Sequence, residues 1–128
     1  GSWIGNRGSK IRSRGYKGMP TGGRDDVMPW GREGSPLDTK YMYVCHAELN
    51  AILNHAGGDL HGAKIYTTLL PCNECAKAII QSGISEVVYL SDKYADSDET
   101  IASKKMFDMV GVKYTPYTPS GRKILLEL

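Results

Sequence analysis

The sequence predicts an α/β protein in which helices pack on a sheet and helix-linked strands run parallel. Three observations lead there. Apolar residues recur at helical spacing in three stretches, opening near His46, Cys72 and Asp98. Short β-rich runs separate those stretches, and glycines close them. The resulting order is strand, loop, helix, strand, helix, strand, helix, strand, strand. Alternation of that kind implies a sheet covered by helices, and the helix-linked strands are expected to run parallel with right-handed crossovers.

Each element has a local reason. Residues 1–40 are punctuated by Gly15, Gly18, Pro20, Gly22, Gly23, Pro29, Gly31, Gly34 and Pro36. This predicts a short strand at Trp3-Ile4, then a long loop of the kind that usually serves a function. The opening Gly1-Ser2 has the look of a cloning scar and is left out of the fold reading. Leu49, Ile52 and Leu53 mark the apolar face of a first helix, which Gly57-Gly58 stops. Lys64 to Leu70 is β-rich and runs into Pro71. A second helix starts at about Cys72, with Ala76, Ile79 and Ile80 on one face and Gly83 beyond its end. Val87 to Leu90 is expected as a buried strand. Asp98 is the expected N-cap of a third helix carrying Ala102, Met106 and Val110 at i, i+4, i+8, with Gly111 after it. Val112–Thr115 and Ile124–Leu128 complete the strands. The whole of 1–128 is expected to be one domain.

Bulk properties narrow the function. The chain is 41% hydrophobic and 23% charged, with a formal net charge of +2, an ordinary globular balance. No apolar run is long enough to span a bilayer, and no secretory leader pattern opens the chain. Three cysteines, Cys45, Cys72 and Cys75, are too few and odd in number for a disulfide framework. They fit a reducing, intracellular and cytoplasmic setting. Arg7, Lys10, Arg12, Arg14, Lys17 and Arg24 come before any acid, and all fourteen acids lie beyond Arg24. That basic start is either a solvated strand edge or an anion-facing surface.

Chemistry concentrates at two helix starts. His46-Ala47-Glu48 opens the first helix and Pro71-Cys72-Asn73-Glu74-Cys75 the second. A Cys-x-x-Cys alone is redox, structural or catalytic. Structural zinc wants four protein ligands, whereas three leave the open position of a catalytic site. Cys72 and Cys75 are i and i+3, so both thiolates face one way, at a helix N-terminus that favours negative charge. Zinc lowers the pKa of a bound water to roughly 7. Glu48, two residues past His46, can reach that water without binding the metal and move its proton to a leaving amine. The combination H-x-E with P-C-x-x-C is the known signature of zinc nucleobase deaminases.

The chain resembles the zinc-dependent cytidine/deoxycytidylate deaminase family, in particular its deoxycytidylate (dCMP) deaminases. The residues that carry the resemblance are Leu37-Asp38-Thr39-Lys40-Tyr41, Val44 to Ile52, Pro71 to Lys77 and Ser91-Asp92-Lys93-Tyr94. Gly15-Tyr16-x-Gly18-Met19-Pro20 and Asp25 to Trp30 match as well. The resemblance implies a three-layer fold with a mixed five-stranded sheet flanked by helices. It implies hydrolysis of dCMP to dUMP and ammonia, with Zn2+ on His46, Cys72 and Cys75 and Glu48 as proton shuttle. Homohexamers, activation by dCTP and inhibition by dTTP are also implied. Two departures stand out. Lys17 replaces the family's Asn in a segment associated with nucleotide and effector contacts. Relatives also carry an N-terminal helix and a full first strand, whereas this chain begins near the end of that strand. It is therefore expected to be truncated, completed by a partner, or a reduced relative lacking that helix.

Further contacts are weighed against plainer roles. Lys17, Arg24 and Lys93 are candidate phosphate partners. Tyr94 is either a platform for the base or an exposed loop side chain. Asn50 is either a substrate contact or a structural polar group. Cys45 is read as a small core residue, Trp30 as a packing anchor, and His55 and His61 as solvent-facing. Asp92, Asp96 and Asp98 are read as turn and cap chemistry. Two alternatives to dCMP deamination stay open: a deaminase of a polynucleotide base, and a catalytically silent zinc-binding subunit. Nucleic acid and membrane are not the expected partners.

Overall fold

The computed structural model describes residues 1–5, 11–24, 26–55 and 59–118. Five strands form one mixed sheet in the order β2-β1-β3-β4-β5. The strands are β1 (Ser2–Gly5), β2 (Ile11–Gly15), β3 (Lys64–Leu69), β4 (Glu86–Ser91) and β5 (Lys113–Pro116). The helices are α1 (Ala47–Leu53), α2 (Asn73–Gln81) and α3 (Asp98–Val110). β3, β4 and β5 run parallel, linked through α2 and α3. β1 is antiparallel to both β2 and β3. Hence β2 and β3, which flank α1 in the chain, also share a direction, as expected of helix-linked strands.

The N-terminal expectation needs correction. In place of one short strand there is an antiparallel pair, and Ser2, set aside from the sequence, is fully buried in β1. β2 escaped notice because its inward positions are Ser13 and Gly15, so no apolar alternation betrays it. Those small residues admit the α1 backbone. A Cβ on Gly15 would lie 2.2 Å from the Ala47 carbonyl and 2.3 Å from the Ala51 nitrogen. Ser13 Oγ donates to the Ala51 carbonyl at 2.6 Å.

The same close approach decides the face of α1. Ala47 and Ala51, one turn apart, are buried, while Leu53 is 70% exposed. Of the expected Leu49–Ile52–Leu53 face, Ile52 packs partly buried against the core while Leu53 does not. Asn54 caps α1, ahead of Gly57-Gly58, which lies outside the described residues. α2 buries Ala76 and Ile79 as expected, and Gly83 follows with φ of 85°. In α3 the cap is Ser97, not Asp98: Ser97 Oγ accepts from the Thr100 nitrogen at 3.2 Å. Its buried face is Thr100, Ser103 and Phe107, one position away from the Ala102–Met106–Val110 line. Gly111 closes α3 in the left-handed region, φ 82°. β4 is less buried than expected: Val87 is covered while Leu90 is exposed. The expected strand Ile124–Leu128 lies outside the described residues.

Register gathers the core. Ile4, Ile65, Val87 and Tyr114 lie side by side across β1, β3, β4 and β5. Ala51 of α1, Ala76 and Ile79 of α2 and Phe107 of α3 join them in one cluster, with Tyr114 packed against it. All three helices thus cover the same face of the sheet, and the N-termini of α1 and α2 meet over its C-terminal edge. Among the described residues no helix is long and apolar enough to cross a membrane.

Candidate active site

His46 and Cys72 occupy equivalent places. Each is the extended N-cap residue of its helix, and neither side chain makes a capping hydrogen bond. The side chains turn toward each other instead. Their backbones are pinned from outside: Gly18 and Cys45 exchange backbone hydrogen bonds of 3.1 and 2.7 Å, and Ser103 Oγ donates to the Pro71 carbonyl at 2.8 Å. Cys75, one helical turn into α2, is buried beneath them.

The three donors fit a metal. His46 Nδ1 lies 3.5 Å from both the Cys72 and Cys75 sulfurs, and all three ligand atoms fall within 4.8 Å of one another. Tetrahedral zinc, with bonds of about 2.0 Å to nitrogen and 2.3 Å to sulfur, sets its ligands about 3.5–3.8 Å apart. The donor set and spacing are those of zinc with one position left for solvent or substrate. No fourth His, Cys, Asp or Glu joins the cluster among the described residues.

The thiols divide the charge unequally. A hydrogen bond from the Cys75 thiol, and then one from His46, holds Cys72 at about 3, far below the ordinary thiol range. Cys75 is pushed up by its bond to Cys72, then by burial and by the Glu48 carboxylate. His46 is raised by its hydrogen bond to Cys72. Before metal arrives, the site therefore holds one thiolate, flanked by a thiol and a readily protonated imidazole.

Glu48 stands beside this cluster on the first turn of α1, and its Oε1 accepts a 3.1 Å hydrogen bond from Ser2 Oγ. Glu48 looks onto a cavity of about 610 Å³ at the C-terminal ends of the strands, an ample volume for a nucleotide-sized ligand. His46, Cys72, Glu48, Lys17 and Tyr94 all line it. Lys93 does so too, with its ammonium 5.2 Å from the centre of the Tyr94 ring. The other two candidate contacts lie elsewhere. Asn50 donates to the Tyr16 carbonyl at 2.7 Å, tying α1 to the chain after β2. Arg24 is exposed and pairs with Asp26 at 2.6 Å. Neither lines the cavity.

Sequence reasoning missed two residues here. Ser2 reaches Glu48 across 46 positions by strand pairing, which no local pattern announces. Lys40 is buried close behind Lys17, and a lone lysine in a polar segment gives no sign of burial. The remaining residues are bystanders. Asp92 pairs with Lys104 at 2.6 Å, His61 is exposed and pairs with Asp59, and Cys45 is half-buried.

Comparison with known proteins follows the same line. Residues 1–91 match the family model of the cytidine and deoxycytidylate deaminase zinc-binding region. The chain is 52% identical to the deoxycytidylate deaminases of Mus musculus and Homo sapiens, over 99% of this chain and 72% of each relative. Among solved structures, the dCMP deaminase of cyanophage S-TIM5 in complex with dCMP and dUMP superposes with a TM-score of 0.68. That match covers 91% of this chain and 79% of the phage protein at 22% identity, a likeness of fold.

Proposed function

Because the chain belongs to the cytidine and deoxycytidylate deaminase zinc-binding family, we propose that it is a zinc-dependent hydrolase converting dCMP to dUMP and ammonia. The observation that carries this reading is Glu48 beside the His46–Cys72–Cys75 cluster at the floor of a nucleotide-sized cavity. His46, Cys72 and Cys75 hold the zinc. When bound, the metal supplies a water acidified to near neutrality. Glu48 then takes a proton from the water that adds to C4 of cytosine. It delivers that proton to N3, then passes the second proton, from the hydroxyl added at C4, to the exocyclic amine, which leaves as ammonia as the C4 carbonyl forms. Ser2 aims the Glu48 carboxylate by donating to Oε1. Tyr94, at the cavity wall, offers its ring to the base.

The product dUMP is the form of uracil nucleotide that a methyl-transfer step to thymidylate consumes. Free cysteines and a nucleotide substrate suit the reducing interior of the cell, in the cytoplasm. Self-association, with dCTP and dTTP as effectors, follows from the family resemblance. Exposed Tyr41, Met42 and Leu53 supply apolar surface that a second copy would cover.

The test is a substrate panel. Zinc-loaded protein is given dCMP, CMP, deoxycytidine and a cytosine-containing single-stranded oligonucleotide, and ammonia is measured. Release from dCMP well above the other three is expected. Release from the oligonucleotide alone would replace this reading with a polynucleotide deaminase.

A further inference from the structure

The working groups sit at two helix starts, yet neither helix fixes them alone. Glu48 lies in the first turn of the seven-residue α1, and rotation about the last bond of a glutamate side chain is broad. Cys72 is an extended N-cap residue whose side chain makes no capping hydrogen bond. Each needs a constraint from another element.

Two fully buried serines supply those constraints. Ser2 lies in β1 between two strands, paired with Gly15 of β2 and Thr67 of β3. Its hydroxyl donates to Glu48 Oε1 at 3.1 Å. Thr67 Oγ1, buried beside it, has no hydrogen-bond partner among the described residues, so Ser2 bonds the carboxylate and not this neighbour. Ser103 lies midway along the thirteen-residue α3. A serine inside a helix can bond the carbonyl four residues back. Ser103 Oγ lies 2.9 Å from that carbonyl, Glu99, and 2.8 Å from the carbonyl of Pro71, the residue before Cys72. On the other side of Pro71, the Leu70 nitrogen donates to the Ser91 carbonyl at 3.0 Å. A buried hydroxyl costs free energy unless it is bonded, and alanine would carry no such cost. Both bonds end on the site: one on the proton-moving carboxylate, the other one residue from a metal ligand. β1 contacts α1 and α3 contacts α2, so the two serines act on different helices.

We propose that Ser2 and Ser103 are positioning residues with separate duties: Ser2 fixes the plane of the Glu48 carboxylate and so sets turnover, whereas Ser103 fixes the Pro71–Cys72 segment and so sets zinc retention. This rests on the proposed deamination of dCMP. It divides the support of that site between a strand, which serves the proton shuttle, and a helix, which serves the metal.

The experiment compares the zinc-loaded full chain with its Ser2→Ala, Ser103→Ala and Thr67→Val variants, and adds Ser2→Ala to Glu48→Gln. kcat and KM are read with dCMP at saturating zinc, and zinc retention against a competing chelator. Ser2→Ala is expected to lower kcat by about ten- to a hundredfold, the cost of removing a group that orients a working residue from behind. KM and zinc retention change by less than about twofold, because the lost bond serves the reacting state and not binding. Added to Glu48→Gln, Ser2→Ala costs nothing further, since no carboxylate remains to be oriented. Ser103→Ala is expected to weaken zinc retention by about ten- to a hundredfold, and excess zinc restores the turnover lost with the metal. Thr67→Val, which removes the unbonded hydroxyl beside Ser2, moves neither quantity. A Ser2→Ala protein that gives up its zinc, or a Ser103→Ala protein that keeps it, would overturn the proposal. So would a further loss on adding Ser2→Ala to Glu48→Gln, or a Thr67→Val effect equal to that of Ser2→Ala. If the unmodified chain does not turn over dCMP, the substrate reading fails by itself, and zinc retention in Ser2→Ala and Ser103→Ala still decides this proposal.

Discussion

Cys72 and Cys75 share one negative charge, and that sharing sets how the site takes up metal. Zinc needs both sulfurs as thiolates. Cys72 is already ionised, whereas Cys75 keeps its proton because ionising it would place a second charge beside Cys72 and Glu48. Adding zinc to metal-free protein at pH 7 should therefore release about one proton from Cys75. His46 adds a further fraction that shrinks as pH rises through its raised pKa. Apparent zinc affinity consequently falls as pH falls. A titration in weak buffer with a pH indicator checks this, and no proton release at pH 8 would refute the division of charge. The grouping of His46, Cys72 and Cys75 was readable in the sequence because the two cysteines lie within one helical turn and His46 opens the other helix. Ser2 and Lys40 were not, since their contacts arise from strand pairing and from burial of a segment without periodicity.

Helix α1 shows how an element's position can depend on a residue outside it. The seven-residue helix is too short to be stable alone and is held by backbone approach to β2. Gly15→Ala would drive a Cβ into the Ala47 carbonyl and the Ala51 nitrogen. A destabilisation of about 3 kcal/mol or more is expected, since backbone cannot yield as a side chain can. The shift would also carry His46 away from Cys72, so zinc affinity should drop together with the thermal midpoint. An unchanged midpoint in a melting experiment would contradict the packing described. The apolar faces of α1 and α3 were placed only in part from sequence: Ile52 and Met106 pack against the core, but the most buried positions lie beside them, for one physical reason. Both helices bury small or polar residues, Ala47 and Ala51 or Thr100 and Ser103, where close contact counts for more than hydrophobicity. α2, with Ala76 and Ile79 inward, obeys the simple pattern and was placed correctly.

At the scale of the molecule, the alternation of helices and strands was enough to foresee an α/β sheet with parallel β3, β4 and β5, and the family resemblance added that the sheet is mixed. Strand order was not foreseeable, because β1 inserts between β2 and β3 on the strength of a hairpin without an apolar signature. The order matters: it sets the ends of β2, β3 and β4 along one edge, where three loops supply Lys17, Cys72 and Lys93 to one cavity. A zinc held by His46, Cys72 and Cys75 would join the starts of α1 and α2 and so contribute to the fold as well as the chemistry. Removing zinc with a chelator should lower the thermal midpoint by at least about 5 °C, with full recovery when zinc is returned. No shift would mean that the ligands are held by packing alone.

The central claim is that Glu48 moves the protons at a site built by His46, Cys72 and Cys75. It is tested most directly by measuring dCMP turnover and zinc content on one preparation of Glu48→Gln beside the unmodified protein. The account predicts one zinc per chain in both and a loss of turnover of at least about 10² to 10⁴ in the variant. A zinc-loaded Glu48→Gln protein that turns over dCMP within about tenfold of the unmodified chain, well short of the loss expected for a missing acid–base group, would contradict it.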